Sequence, residues 1–233
     1  MARYQDREEA ALELSRALPA HIDNSWLTLA LPRGGVPIAA AISRNIGADL
    51  DLVIVRKVGA PGNPELALAA VTGPERDQMV VNDSVAAAFG LSHEEVWKNA
   101  AEAIAQVQER RQRWKLDERA HPVEGRDVLL VDDGIATGTT LRAALQAVRK
   151  KGARSIVAAV PVALGDAIEA LGDLEVELVC PFPNAPLGGV GAAYEAFPQV
   201  SDGEVTQIMG EARKYSRPIY GGISAGSTPS LAA

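Results

Sequence analysis

Residues 128–140 read Val-Leu-Leu-Val-Asp-Asp-Gly-Ile-Ala-Thr-Gly-Thr-Thr, and no other stretch constrains the chain as tightly. A short apolar strand delivers two carboxylates, Asp132 and Asp133, to its carboxyl end. A Gly/Thr-rich turn follows and opens directly into a helix, Thr139 to Lys151. That helix carries basic residues in its last turn and Gly152 just past it, as the macrodipole and a glycine C-cap favour. A strand that hands over to a helix through a polar turn is a unit of parallel α/β architecture. The turn aims unpaired amides and the hydroxyls of Thr137, Thr139 and Thr140 at one spot, which suits a phosphate. Two carboxylates repel a phosphate, but each accepts from a hydroxyl of a vicinal diol. A diol with a phosphate a short distance away describes a ribose 5-phosphate unit.

The rest of the chain repeats the alternation. Asp6 to Leu18 carries apolar residues at helical spacing and predicts an amphipathic first helix. Trp26 to Leu31 predicts a strand, Pro32-Arg33-Gly34-Gly35 a turn, and Val36 to Asn45 a helix ended by Gly47. Leu52 to Val55 reads as the next strand, completing a βαβ unit. Gly59 to Pro64, with two glycines and two prolines, reads as a mobile loop. Leu66 to Thr72 and Gln78 to Val81 predict a hairpin around Gly73-Pro74. Ser92-His93-Glu94-Glu95 is a capping box opening a long helix to about Trp114, and Ser201 to Glu204 is a second one. Ile156 to Val160 and Val176 to Val179 are further strands. The pattern predicts a doubly wound α/β fold with a mostly parallel sheet. A single domain is expected over residues 1–214, with a helical insertion at 83–122, a hood element at 181–214 and a loose tail at 215–233. In such sheets ligands sit at the carboxyl ends of strands, at the switch point.

Composition narrows the function. The 233 residues hold 23 basic and 30 acidic side chains, for a net charge of −7, and only 4% aromatics. That balance opposes a general nucleic-acid binder, whose affinity rests on phosphate contacts. A lone cysteine, Cys180, forms no internal disulfide, which predicts a cytoplasmic protein; following Leu178-Val179, it reads as a buried strand residue. Met1 to Leu18 is charged and helical in pattern rather than a secretory signal, and no stretch is long enough to span a membrane. Neither a Walker A loop nor a G-x-G-x-x-G after a strand is present. His21, His93 and His121 form no ligand-spaced cluster, so no direct protein-held metal is expected.

The segment 128–140 resembles the phosphoribosyl pyrophosphate (PRPP) binding motif of type I phosphoribosyltransferases. Further pieces resemble a bacterial subfamily of phosphoribosyltransferase-domain proteins: Asp6-Arg7, Leu31 to Pro37, Val55 to Leu66 and Tyr194 to Val205. The resemblance runs from about residue 4 to 209. It implies that Asp132 and Asp133 hold the ribose hydroxyls and that Ala136, Thr137, Gly138, Thr139 and Thr140 take the 5-phosphate. It further implies that Arg33, Gly34 and Gly35, with Arg56 and Lys57, meet the pyrophosphate. Asp132, Asp133, Arg33 and Lys57 are then the catalytic candidates. The implied activity is a Mg²⁺-dependent transfer of 5-phosphoribosyl from PRPP to a nucleobase-like, small aromatic acceptor. Mg²⁺ is expected to ride largely on PRPP oxygens and water. Tyr194 and Phe197 are the candidates to stack on the acceptor. Ala136 stands where purine-salvage relatives carry an acidic base, so no general base is assigned there. Arg110, Arg111 and Arg113 have two readings, a set of cations facing the site and a solvated helix face, of which the second is favoured. A homodimer is the commonest assembly for such enzymes. The alternative is a non-catalytic PRPP- or nucleotide-sensing domain; retention of Arg33, Arg56 and Lys57 favours the enzyme.

Overall fold

The structure is a computed structural model that describes residues 2–116, 120–186 and 188–215. In chain order it begins α1 (Arg7–Ala17), β1 (Leu27–Ala30), α2 (Gly35–Ile46) and β2 (Asp49–Leu52). Next come β3 (Arg56–Ala60), β4 (Asn63–Val71), β5 (Met79–Val81), α3 (Asp83–Ala88), α4 (His93–Asn99) and α5 (Ala101–Arg113). The second half holds β6 (Asp127–Val131), α6 (Thr139–Lys150), β7 (Ser155–Ala159) and β8 (Val162–Leu164). It closes with β9 (Glu177–Val179), β10 (Phe182–Ala185) and α7 (Asp202–Tyr215).

The central sheet has the order β2-β1-β6-β7-β9, and every pairing in it is parallel. Val128 to Val131 are fully buried, as an unbroken apolar run on a strand covered on both faces must be. The pleat divides them. Leu129 and Val131 pack with Ile38, Ala39 and Ile42 of α2 on one face. Val128 and Leu130 pack with Leu141, Ala144, Leu145 and Val148 of α6 on the other. Strand order reverses between β1 and β6: β1 leads to β2 on one side, β6 to β7 on the other. That is the switch point of a doubly wound sheet. Register pairs Ala30 with Val131, so the turns after β1 and β6 emerge level with each other.

Four local expectations are corrected. The second strand is β2 (Asp49–Leu52), earlier than the apolar run 52–55. Its two aspartates are buried with partners. Asp49 meets the Arg126 guanidinium at 3.1 Å, and Asp51 accepts from the His121 amide at 2.8 Å. Residues 59–64 are a hairpin rather than a loop: Ala60 pairs with Asn63 across a Pro61-Gly62 tip, with Gly62 at φ +73°. β3, β4 and β5 form an antiparallel meander, which includes the expected second hairpin. The long helix breaks at Ala100, which caps α4 and precedes α5. Cys180 lies just past β9 and is half-buried, its thiol pushed up to about 11 by burial.

Both capping boxes are present, at Ser92–Glu95 and Ser201–Glu204. Tyr215 ends α7, and residues 216–233 of the expected tail lie outside the described residues. Among the described residues no helix is long and apolar enough to cross a membrane.

Candidate active site

The turn after β1 lies directly on the carboxylates that follow β6, and glycine makes that approach possible. A Cβ at Gly34 would stand 1.9 Å from Asp133 Oδ2. One at Gly35 would stand 2.7 Å from the Val131 carbonyl and 2.8 Å from Asp132 Cα. Any other residue at position 34 must displace either the turn or the Asp133 carboxylate. The Pro32-Arg33 peptide in this turn is cis.

The two aspartates differ in their surroundings. The Asp133 amide donates to Asp132 Oδ1 at 2.9 Å. Burial, and then the neighbouring Asp133 charge, push the Asp132 carboxyl well above the usual carboxylate range. Burial also raises Asp133, but Arg7 opposes the shift. Arg7 donates from Nε and Nη2 to Asp133 Oδ2, at 3.1 and 2.8 Å. Its Nη1 donates to the Pro198 carbonyl at 2.8 Å, and its guanidinium lies 3.8 Å from the Phe197 ring centroid. Both side chains of the ion pair are largely withdrawn from water, at 11% and 15% exposure.

The Gly/Thr turn behaves as its composition predicts. Gly138 at φ +73° is the N-cap of α6 and has no side chain to cap it, and the Thr139 amide donates to Thr137 Oγ1 at 3.5 Å. The hydroxyls of Thr137 and Thr139 lie 3.1 Å apart. The turn presents hydroxyls and the positive end of the α6 dipole together.

These pieces open into one cavity of about 1020 Å³. Asp132, Asp133, Thr137, Thr139 and Thr140 line it, together with Arg33, Arg56 and Lys57. A smaller cavity of about 320 Å³ adjoins it, bounded by Arg7, Arg33, Gly34, Asp133, Phe197, Gln199 and Val200. Arg33, Gly34 and Asp133 border both.

With that arrangement in view, comparison with known proteins is decisive. The profile of the phosphoribosyl transferase domain matches residues 1–180. The chain belongs to this family. Two Mycobacterium tuberculosis proteins named "Putative phosphoribosyl transferase" are each 34% identical to it over 231 residues. The match covers 99% of this chain and 52% of theirs, so the chain spans about half the length of these curated relatives. Among solved structures, TT1426 from Thermus thermophilus is 38% identical with a TM-score of 0.81. That match covers 90% of this chain and 98% of the other. The family's α/β fold with a mainly parallel central sheet is the fold described above.

In this family member the structure gathers most of the residues singled out from the sequence. Asp132, Asp133, Arg33, Gly34, Arg56, Lys57 and the three threonines meet at the larger cavity. Gly35, Ala136 and Gly138 shape the turns around it without lining it. Tyr194 is a correction: it is buried at 5% exposure, and its hydroxyl donates to the Asp133 carbonyl at 2.6 Å. Its ring stacks on Phe197 at 4.7 Å between centroids. Tyr194 therefore braces the carboxylate turn instead of offering a stacking face. Burial, and then the Asp133 charge, raise its phenol far above the ordinary value. Phe197 lines the smaller cavity, but its ring already packs against Tyr194 and Arg7.

Arg110 is a second correction. It lines the larger cavity instead of a solvated face. Arg7 had no assigned role; only the neighbouring Asp6-Arg7 resemblance pointed toward it. Arg142 also lines the larger cavity, in a two-point pair with Asp173 at 2.8 and 2.6 Å.

Proposed function

We propose that the protein transfers the 5-phosphoribosyl group of PRPP to a nucleobase-like acceptor, releasing pyrophosphate. One observation carries the reading: paired carboxylates, the hydroxyl-lined start of a helix and a set of cationic side chains that includes Arg33, Arg56 and Lys57 converge on a single cavity. In this reading the 5-phosphate sits at Thr137–Thr140, and the ribose hydroxyls donate to Asp132 and Asp133. The pyrophosphate lies against Arg33, the Gly34 turn, Arg56 and Lys57.

Displacement at the anomeric carbon builds positive charge on the ribose ring. Arg7 opposes the upward push of burial on the Asp133 carboxyl, which places a partnered acidic group where that charge develops. Arg33, Arg56 and Lys57 stabilise the departing anion. The acceptor enters from the smaller cavity, which adjoins the larger one at Gly34 and Asp133. Asp133 is the one carboxylate among the described residues lining that smaller cavity, and it is held by Arg7. The acceptor class favoured is therefore a ring that brings an unprotonated nitrogen of its own.

The donor set suits Mg²⁺ shared with substrate. Among the described residues no group of three or more His, Cys, Asp or Glu side chains forms a cage. Asp132 and Asp133 supply hard oxygens, and magnesium binds through few protein ligands and keeps its waters. The ion would be held by PRPP oxygens and water beside those two carboxylates, and would neutralise charge on the leaving group.

The test is pyrophosphate release from Mg²⁺–PRPP against a panel of purines, pyrimidines and pyridine carboxylates. Release that depends on one acceptor class supports the transferase. PRPP binding with no acceptor-dependent release across the panel replaces it with the sensing alternative.

A further inference from the structure

Beside the two cavities lies a third of about 300 Å³, bounded by Arg33, Arg56, Arg110, Arg113, Gln106, Glu109 and Asp202. Arg33, Arg56 and Arg110 border this space and the larger cavity alike. They come from three distant segments: the turn after β1, the start of β3 and the last turn of α5. Nothing in local sequence requires three guanidiniums to face each other there. Their mutual repulsion is unfavourable unless something negative lies between them.

The charge on the protein does not fully meet that need. Asp202, at the start of α7, is the carboxylate in the cluster that reaches toward these cations. Its Oδ2 is 2.6 Å from Arg113 Nη1, while its Oδ1 is only within 3.6 Å of Arg33 Nη1. Glu109 is paired with the same Arg113. Among the described residues no carboxylate oxygen lies within ion-pair distance of Arg56 or Arg110, Asp202 acts on Arg110 only through its charge, and Arg56 Nε is buried without a hydrogen-bond acceptor. Burial and the charge of Arg33 both lower the Arg56 proton affinity; burial, Arg56 and Arg33 lower that of Arg110, against an opposing pull from Asp202. A buried charged donor without an acceptor is costly, and native structures keep such groups where a ligand completes them.

We propose that Arg110 binds the pyrophosphoryl group with Arg33 and Arg56, and that Asp202 is a built-in placeholder which the anion displaces from Arg33. The proposal rests on the phosphoribosyl-transfer reading for the identity of the anion. It adds a binding residue from the helical segment between β5 and β6, and a reason for a carboxylate beside a cation site. The long Arg33–Asp202 contact exchanges readily, because Asp202 keeps its shorter bond to Arg113 after Arg33 turns to the ligand. Binding then swaps a weak internal ion pair for charge-assisted bonds to phosphate, which are stronger and favour the arginine fork.

The experiment is calorimetric titration with inorganic pyrophosphate in Mg²⁺ buffer, and separately with ribose 5-phosphate. The proteins are the wild type, Arg110→Gln, Arg110→Lys and Asp202→Asn. Arg110→Gln is expected to weaken pyrophosphate at least tenfold while leaving ribose 5-phosphate within twofold. Arg110→Lys should fall between, since it keeps the charge and loses the fork. Asp202→Asn should bind pyrophosphate several-fold more tightly, a gain that misfolding cannot produce. Wild-type pyrophosphate affinity in Arg110→Gln, or an equal loss for both ligands, overturns the role of Arg110. Unchanged or weaker pyrophosphate binding in Asp202→Asn overturns the placeholder. If the wild type binds pyrophosphate but not ribose 5-phosphate, the phosphoribosyl-transfer reading fails while the Arg110 comparison still stands on its own.

Discussion

Replacing Arg7 by methionine isolates what the first helix does for the site. Methionine keeps an apolar stem against Phe197 and removes only the guanidinium that holds Asp133. Both partners are close to fully withdrawn from water, at 11% and 15% exposure. Removing one member of a buried pair costs about 3–5 kcal/mol, because the other charge is stranded. Here the low end applies, since Asp133 escapes by taking a proton: burial already raises its pKa, and Arg7 is the chief opposing influence. A loss of about 3 kcal/mol lowers Tm by roughly 6–12 °C in a chain of this size. The pH dependence follows from the same shift. Without Arg7 the folded-state pKa of Asp133 rises further above its unfolded value. Between those two values the folded state binds more protons than the unfolded one, so stability falls as pH rises. The gap between Arg7→Met and wild type should therefore be small near pH 4 and widen toward pH 8. Thermal unfolding followed by circular dichroism across that range reads it. The double variant Arg7→Met/Asp133→Asn should recover most of the loss at pH 8. A gap under about 1 kcal/mol that ignores pH would refute the assignment of Arg7 as counter-ion to Asp133.

Gly34→Ala places a methyl 1.9 Å from Asp133 Oδ2, so the turn or the carboxylate must shift; Mg²⁺–PRPP affinity should drop at least tenfold by calorimetry. Tyr194→Phe removes one hydrogen bond to the Asp133 carbonyl and leaves a buried acceptor unmet; denaturant unfolding should show a loss of about 1–3 kcal/mol, and no change would mean the bond contributes nothing. The β3–β4 hairpin carries Arg56 and Lys57 at its base and Pro61-Gly62 at its tip. We expect it to close over bound substrate and exclude water from the ribose cation. Amide exchange over residues 57–66 should then slow with Mg²⁺–PRPP, and identical rates at saturation would remove the lid.

The sheet and the glycine- and threonine-rich turn are legible because both are written locally. Val128 to Val131 is apolar at every position, and only a strand buried on two faces tolerates that. The glycines and threonines that follow are contiguous, so their convergence needs no tertiary information. β2 was misplaced because Asp49 and Asp51 interrupt its apolar pattern, and their partners Arg126 and His121 lie 70 or more residues away. The 59–64 hairpin hid because Pro-Gly-Asn-Pro signals a turn without saying whether strands flank it. The break at Ala100 carries no glycine or proline to mark it. At the site, the cations near the motif were readable, but the guanidinium nearest Asp133 was not. Arg7 sits 126 residues from its partner, and only the Asp6-Arg7 resemblance hinted at it. Arg110 looked like one of three basic residues ending a helix, as the macrodipole favours. Which of the three turns inward depends on how α5 packs on β3, not on its own sequence. Gly34-Gly35 announced a turn, while the reason for two glycines, the approach to Asp132 and Asp133, appears only in three dimensions.

The central claim is that the strand end at Asp132-Asp133 and the turn to Thr140 together hold a ribose 5-phosphate unit. The most direct measurement is calorimetric titration of Mg²⁺–PRPP into wild type and into Asp132→Asn/Asp133→Asn. The amide pair keeps the shape of both side chains but leaves the Arg7 guanidinium without its counter-ion, so circular dichroism must first show that the double variant is folded. One PRPP per chain is expected in the wild type, with an affinity at least tenfold weaker in the double variant. Equal affinity in the two proteins would contradict it and place the ribose elsewhere.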